Sequence, residues 1–307
     1  MSTTDTPQTS PHHDVVIVGG GPTGCAVGVF TARYGLDTII FNRGRSSIQR
    51  CAYLENYLGF PAGVDIETLY GLMHDHAEEA GCEIIPDLIE SVERPDDGRG
   101  FLVTPQEGDP ITARRVVAAT RYDGEYMRGL DDDAAMFETY EHDGETHEHF
   151  DGEYAAHDGS TPVEGLYVAS PSTEDKQALM AAGRGARVGL RVVEDTRQTR
   201  GYPEAVADHY DWMRQASELD DEWGDRDRWR EWFDDRLPSD HDLDEERRVE
   251  LRERDIDRSL ETYLSDEEIK RRRVHGQQRL LEHIDDELIL EAARDIESER
   301  QSTEVSN

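Results

Sequence analysis

Short apolar runs separated by glycine, proline and acidic turns set the pattern of residues 14–200. "DVVIVG" (14–19) is a compact apolar block ahead of a glycine-rich turn, and a helix is predicted from that turn to about Tyr34. "DTIIFN" (37–42) predicts a second strand, and an irregular stretch follows it. "DIETLYGLMHDHAEEAG" (65–81) has helical spacing, with Asp65 as its N-cap and Gly81 as its stop. "EIIPDLIESVER" and "GFLVTP" read as strands joined by the turn "PDDGRG", and "ITARRVVAAT" as another. "GLYVAS" (165–170) predicts a last buried strand, and "DKQALMAAGRGARVGLRVVED" the helix after it. Residues 134–160 are polar and acidic, either strand-and-loop or one long loop. The order β-α-β, then hairpin-like strands, then β-α, predicts an α/β fold: an open Rossmann-type parallel sheet with an antiparallel insert.

The pattern changes after Gly201. Val206, His209–Tyr210 and Met213 recur at helical spacing, and all four tryptophans (212, 223, 229, 232) fall close by. "Pro238-Ser239-Asp240" breaks that stretch. Ile256, Leu260 and Leu264, then Leu280–Leu281, Ile284 and Leu288, predict helices over about 242–264 and 266–297. The expected organisation is a disordered lead-in (1–12), a nucleotide-binding domain (13–200) and an acidic all-α appendage (201–307).

Charge narrows the function classes. The chain has 69 Asp and Glu against 33 Lys and Arg, a net charge of −36. Such a surface repels phosphate, which argues against nucleic-acid and anionic-membrane partners. Molar salt screens charges beyond about 3 Å, so the composition suits a halophilic, salt-rich cytoplasm. An acidic disordered tail is the plainer reading, but acid also decorates the first half, as in "GLDDD". No apolar run approaches the roughly eighteen residues that would span a bilayer. "MSTTDTPQTSPHH" lacks the basic end and apolar stretch of a secretion signal, so a soluble cytoplasmic protein is expected.

Gly19-x-Gly21-x-x-Gly24, between an apolar strand and a helix, has the spacing and context of a dinucleotide fingerprint. Gly19 would make the tight turn, Gly21 would admit the phosphates, and Gly24 would let helix pack on strand. Pro22 and Thr23 would present the helix N-terminus to the pyrophosphate. At the end of the second strand, where a ribose-binding acid is usual, stands Asn42, followed by Arg43 and Arg45. Asn42 suits a ribose. The arginines either meet a 2′-phosphate or are solvated loop charges, so this feature leaves FAD and NADP open.

Cys25, Cys51 and Cys82 have no CxxC spacing, which argues against a disulfide framework and a zinc site. Cys51 is a weak candidate for a redox thiol, and a small buried hydrophobe is the plainer reading. His142, His147, His149 and His157 cluster among acids without the spacing of a fixed metal site, so no metal is expected. The tryptophans are either the core of the appendage or a cap over a cofactor.

"CAYLENYLGFPAGVDIETLYGLMHDHAEEAGCEII" resembles the FAD domain of thioredoxin reductases, in the flavin disulfide reductase group. The resemblance is carried by Glu55-Asn56-Tyr57-Leu58-Gly59-Phe60-Pro61 before a helix, and by "EGLYVAS" followed by "DKQALMAAGRGARVGL". It covers about residues 14–195. It implies FAD as cofactor, with Lys176 and Gln177 at the flavin ring beside Ala178 and Asn56. It further implies Ile89, Ala119, Thr120 and Ser170 along the cofactor. Three departures stand out: the redox dithiol is absent, Arg121 stands where the family has glycine, and Ser170-Pro171 replaces the pair whose aspartate meets the ribityl chain. Arg121 either pairs with the pyrophosphate or points to solvent. Residues 121–163 are too few for the family's NADPH domain, which needs about a hundred.

The resemblance implies an FAD-dependent oxidoreductase without its own NADPH domain or dithiol, with an unidentified small-molecule or protein electron donor and acceptor. By analogy it implies a homodimer. The alternatives are a non-catalytic flavin or nucleotide binder acting through the helical appendage, and an NADP-binding enzyme.

Overall fold

The computed structural model describes residues 13–43, 46–95, 98–120, 124–142, 145–219 and 222–305. The expected lead-in 1–12, Arg45 and Arg121 lie outside the described residues. The chain divides into two compact units, one ending at Asp211 and one beginning at Trp212.

In the first unit β1 (His13–Val18) leads through α1 (Pro22–Arg33) to β2 (Thr38–Phe41). The irregular stretch holds one small ladder, β3 (Tyr53–Leu54) against β4 (Val64–Asp65). α2 (Ile66–Glu79) follows, and the Asp65 side chain caps it by accepting from Thr68 N. Pro86 lies between β5 (Glu83–Ile85) and β6 (Ile89–Glu93), so "EIIPDLIESVER" forms two strands. β5 joins β2 in parallel, while β6 pairs antiparallel with β7 (Phe101–Pro105).

The parallel sheet runs β5-β2-β1-β8, where β8 is Ile111–Ala119. β8 forks the sheet. Its first residues, Ile111–Ala113, pair antiparallel with β7, and its last, Val116–Ala119, pair in parallel with β11 (Leu166–Ser170). Between β8 and β11 lie α3 (Asp133–Met136) and an antiparallel hairpin, β9 (Phe137–His142) with β10 (Glu145–Phe150). The segment 134–160 thus contains a strand pair.

Alternation along β1 sorts the core. Val15 and Ile17 face Val27, Val117, Val188 and Val192, beneath α1 and α4 (Ala178–Thr199). Val16 and Val18 face Val103, Met127, Met136 and Phe150 on the other side. Glycines bring α1 and α4 together: a Cβ on Gly185 would lie 2.2 Å from Thr23 O. α4 begins at Ala178, three residues later than the sequence pattern predicts.

Residues 202–211 do not form the helix their spacing predicts. Tyr202, Val206 and Ala207 are buried, with only a 3-10 turn at Glu204–Val206. This segment is tied to the first unit instead. Arg197 donates to Val206 O at 2.9 Å, and Arg33 forks onto Asp211 at 2.5 and 2.7 Å.

In the second unit β12 (Arg214–Gln215) precedes α5 (Arg226–Arg236) and α6 (Glu245–Glu261), capped by Asp225 and Asp244. Trp229, Phe233, Leu251 and Ile256 are buried here, and Trp223 and Trp232 meet Trp229 edge-on. Trp212 is exposed. Arg230 and Arg226 clamp Glu253 across α5 and α6 at 2.8 and 3.0 Å, holding its carboxyl at about 2. β13 (Tyr263–Leu264) pairs with β12, so the appendage is helical apart from this two-residue ladder. The single predicted helix over 266–297 is two, α7 (Asp266–Leu281) and α8 (Asp286–Val305). Asp285 accepts from Glu287 N and Leu288 N, ending one helix and starting the next.

Two glycines of α4 have opposite expectations. Gly185→Ala should lower stability by about 1–3 kcal/mol, because the added carbon meets backbone. Gly183 meets nothing within 4 Å, so Gly183→Ala should raise stability by about 0.5–1 kcal/mol. Denaturant unfolding of both variants checks the pair.

Candidate functional site

A cavity of about 820 Å³ lies at the carboxyl ends of the parallel strands, where open α/β sheets hold their ligands. Val18, Phe41, Ala119 and Ala169, one from each of β1, β2, β8 and β11, stand at its floor. Its volume is in the range of small-molecule and cofactor sites, about 300–1,000 Å³.

The glycine turn forms one wall. Gly19 has φ +119°, and a Cβ there would lie 2.5 Å from Ala119 O. A Cβ on Gly24 would lie 1.8 Å from Gly19 O, so this glycine sits away from the cavity and lets α1 reach the strand end. Gly21, Pro22 and Thr23 line the cavity. Gly21 offers no side-chain cap and the first turn of α1 carries no acid. The positive end of the helix therefore faces the cavity with no acidic side chain in its own first turn to balance it. The Tyr70 hydroxyl is buried near Gly21 and Ser46 with no hydrogen-bond partner among the described residues.

Asn42, Arg43 and Ile89 line the cavity, as do Ala119, Thr120 and Ser170. Thr120 Oγ1 lies 3.1 Å from the Tyr126 hydroxyl. Lys176, Gln177 and Ala178 complete the rim at the start of α4. Asn56 is held to this rim, its Nδ2 donating to Gln177 Oε1 at 3.3 Å, but it is not a lining residue.

Several residues at the site carry no sequence signal of their own. Gly20 is one: a Cβ there would lie 2.6 Å from Asn42 Cβ, so Gly20 lets the end of β2 close on the turn. His74 Nε2 donates to its carbonyl at 2.9 Å. Asp175 lines the cavity, with Ser172 Oγ donating to its carboxylate at 2.8 Å and the Arg184 guanidinium forming an ion pair with it at 3.7 Å. Arg184 is buried and donates to Ala169 O, Val168 O and His157 O, bracing the connection from β11 to α4. Glu138 and His149 reach the cavity as directly opposed cross-strand residues, paired at 2.9 Å.

The histidines do not converge. His147 stacks on Tyr140, and His157 lies 4.0 Å from Glu174. The His142 side chain is outside the described residues. Among the described residues no group of three or more His, Cys, Asp or Glu side chains is arranged to hold a metal. Cys51 is exposed and lines the cavity, whereas Cys25 and Cys82 are buried. Burial pushes both buried thiols up to about 12.

No family model matches the chain. It is 31% identical over 110 residues to a thioredoxin reductase of Streptomyces clavuligerus and 32% identical over 109 residues to that of Bacillus subtilis. The chain is similar to thioredoxin reductases. Each match takes in 35% of this chain and about a third of the relative, 34% and 33%. Among solved structures, a thioredoxin reductase from Gloeobacter violaceus superposes with a TM-score of 0.50 over 65% of this chain and 97% of its own, at 17% identity. That likeness is one of fold: the parallel-dominated α/β sheet with its antiparallel insert is shared. No helix among the described residues is long and apolar enough to cross a membrane.

Thiol reactivity should separate the three cysteines. At pH 8 iodoacetamide should modify one thiol of the folded protein, Cys51, and all three after denaturation. Peptide mass mapping checks it, and modification of folded Cys25 or Cys82 would contradict their burial.

Proposed function

We propose that this chain is an FAD-dependent oxidoreductase resembling the FAD half of thioredoxin reductase, working without its own NADPH domain or redox dithiol. The observation that carries this reading is the cavity itself. A glycine turn and a helix N-terminus with no acid in its first turn meet Asn42 on one side and Lys176–Gln177 on the other. Gly19, Gly21, Pro22 and Thr23 would hold the pyrophosphate, the last two through the helix end, while Gly24 lets that helix start close on β1. Asn42 would bond a ribose hydroxyl, with Arg43 beside it. Thr120, Ser170 and Ala119 would border the middle of the cofactor, and Lys176, Gln177 and Ala178 its redox ring.

When bound, flavin supplies the transfer of two electrons between a donor and an acceptor. The donor and acceptor are external in this reading, because the segment between β8 and β11 is a hairpin rather than a second nucleotide fold. Cys51 is the one cavity-lining thiol among the described residues, and it lacks a neighbouring cysteine.

The acidic surface, with net charge −36, supports a salt-rich cytoplasm as the working environment. The melting temperature should rise steadily between about 0.2 and about 2 M KCl. A flat profile would remove the halophilic reading.

The functional reading is tested by the visible spectrum of protein purified in molar KCl and by identification of any released cofactor. Flavin bands with FAD near one per chain are expected. Gly21→Asp, which puts a carboxylate where the pyrophosphate would lie, should remove them. A colourless protein that takes up no added FAD would overturn the reading. Protection against heat by NADPH in such a protein would favour the NADP alternative through Arg43. Bound FAD that no electron donor reduces would favour a non-catalytic binder.

A further inference from the structure

We propose that His74 is a positioning residue for the pyrophosphate: by holding the Gly20 carbonyl behind the turn, it directs the Gly21 N–H into the cavity. This rests on the reading of the cavity as a dinucleotide site. Gly20 and Gly21 line the cavity, whereas His74 and Cys25 do not. His74 Nε2 donates to Gly20 O at 2.9 Å, and Cys25 Sγ donates to the same oxygen at 3.5 Å. Both donors therefore draw the carbonyl to the side of the turn away from the cavity. A trans peptide sets its C=O and N–H in opposite directions, so the Gly21 N–H faces the cavity.

The glycines themselves leave that orientation open. A peptide between two glycines meets no Cβ on either side, so its reversal is sterically cheap. α1 does not decide it, because its first backbone bond runs from Cys25 N to Gly21 O at 2.9 Å, one residue beyond the Gly20 carbonyl. Reversal would turn a carbonyl oxygen toward an incoming phosphate and take an amide away from it.

The choice is made from α2, 54 residues along the chain from Gly20. Tyr70 and His74 stand one helical turn apart, their rings edge to face at 5.5 Å. The Tyr70 hydroxyl lies against Gly21, and His74 reaches Gly20. Asp65 caps this helix, and Leu69 and Ala77 bury it, so the imidazole is presented from a fixed element. The proton in the bond sits on Nε2, since a carbonyl only accepts. Burial pushes the Cys25 thiol up to about 12, so it keeps the proton it shares with the same oxygen.

Two variants at one position test this in the full chain, stripped of cofactor in molar KCl. His74→Phe keeps a ring against Tyr70 but has no donor. His74→Gln gives up the ring but carries an amide N–H to about the same reach. His74→Phe should raise the dissociation constant for FAD about tenfold, and His74→Gln should stay within about threefold of the wild type. ADP, which has the pyrophosphate without the flavin, should lose affinity in His74→Phe by the same factor as FAD. A packing role for His74 gives the reverse ranking, with Phe like the wild type and Gln weak, and that result would overturn the proposal. A loss confined to FAD would also overturn it, because the effect would then lie at the flavin end. Hydrogen exchange of the ligand-free protein needs no cofactor: the peptide over residues 15–25 should exchange faster in His74→Phe than in the wild type or His74→Gln. Equal exchange in all three would overturn the hold on the turn. A wild type that binds neither FAD nor ADP would instead overturn the functional reading, and the exchange ranking would still decide whether His74 holds the turn.

Discussion

The contact between Gly24 and the Gly19 carbonyl governs the architecture of the first unit. No side chain fits there, since an added carbon would sit 1.8 Å from the oxygen. Because none is present, α1 starts directly on the end of β1 and aims its amides into the cavity. The same economy recurs one layer out, where Gly185 and Gly189 let α4 lie against α1. Gly20 does the same between the turn and Asn42. Side chains are absent from four close approaches in the first unit, and each absence fixes a distance between elements.

β8 carries the second constraint. Its inner residues, Val116, Val117 and Ala118, are fully buried and serve both core faces by alternation. Its two ends have different neighbours, an antiparallel meander at one and a parallel strand at the other. That arrangement brings Thr120 and Ser170 side by side at the cavity, although the chain between them is long. Arg184 fixes the second of these connections from beneath by donating to carbonyls on both its sides. Its burial is sustained by those acceptors and by Asp175, since a guanidinium taken out of water needs nearly all its donors occupied.

The parallel core was legible because its signals are local: apolar blocks, the spacing of Gly19, Gly21 and Gly24, and the Asp65 cap. The candidate site was legible to the same extent, through the strand ends and the start of α4. What escaped has a non-local cause. Val206, Tyr210 and Met213 have helical spacing, yet Arg33 and Arg197, distant in sequence, hold that segment in another conformation. One strand became two at Pro86, and one helix became two because Asp285 competes for backbone amides. Asp175, Gly20 and the Glu138–His149 pair reach the cavity only through tertiary placement, which no window along the chain reports.

The fork at β8 has a consequence for how such a chain changes over time. The chain leaves the sheet at Ala119 and returns at Leu166, and the two strands it joins are already hydrogen-bonded neighbours. Whatever lies between them hangs outside the sheet ladder. A hairpin, a longer loop or an entire module can therefore be spliced at this point while every strand register of the parallel sheet stays the same. The junction is a natural graft site, and lineages are free to exchange what the cavity faces without rebuilding the sheet beneath it.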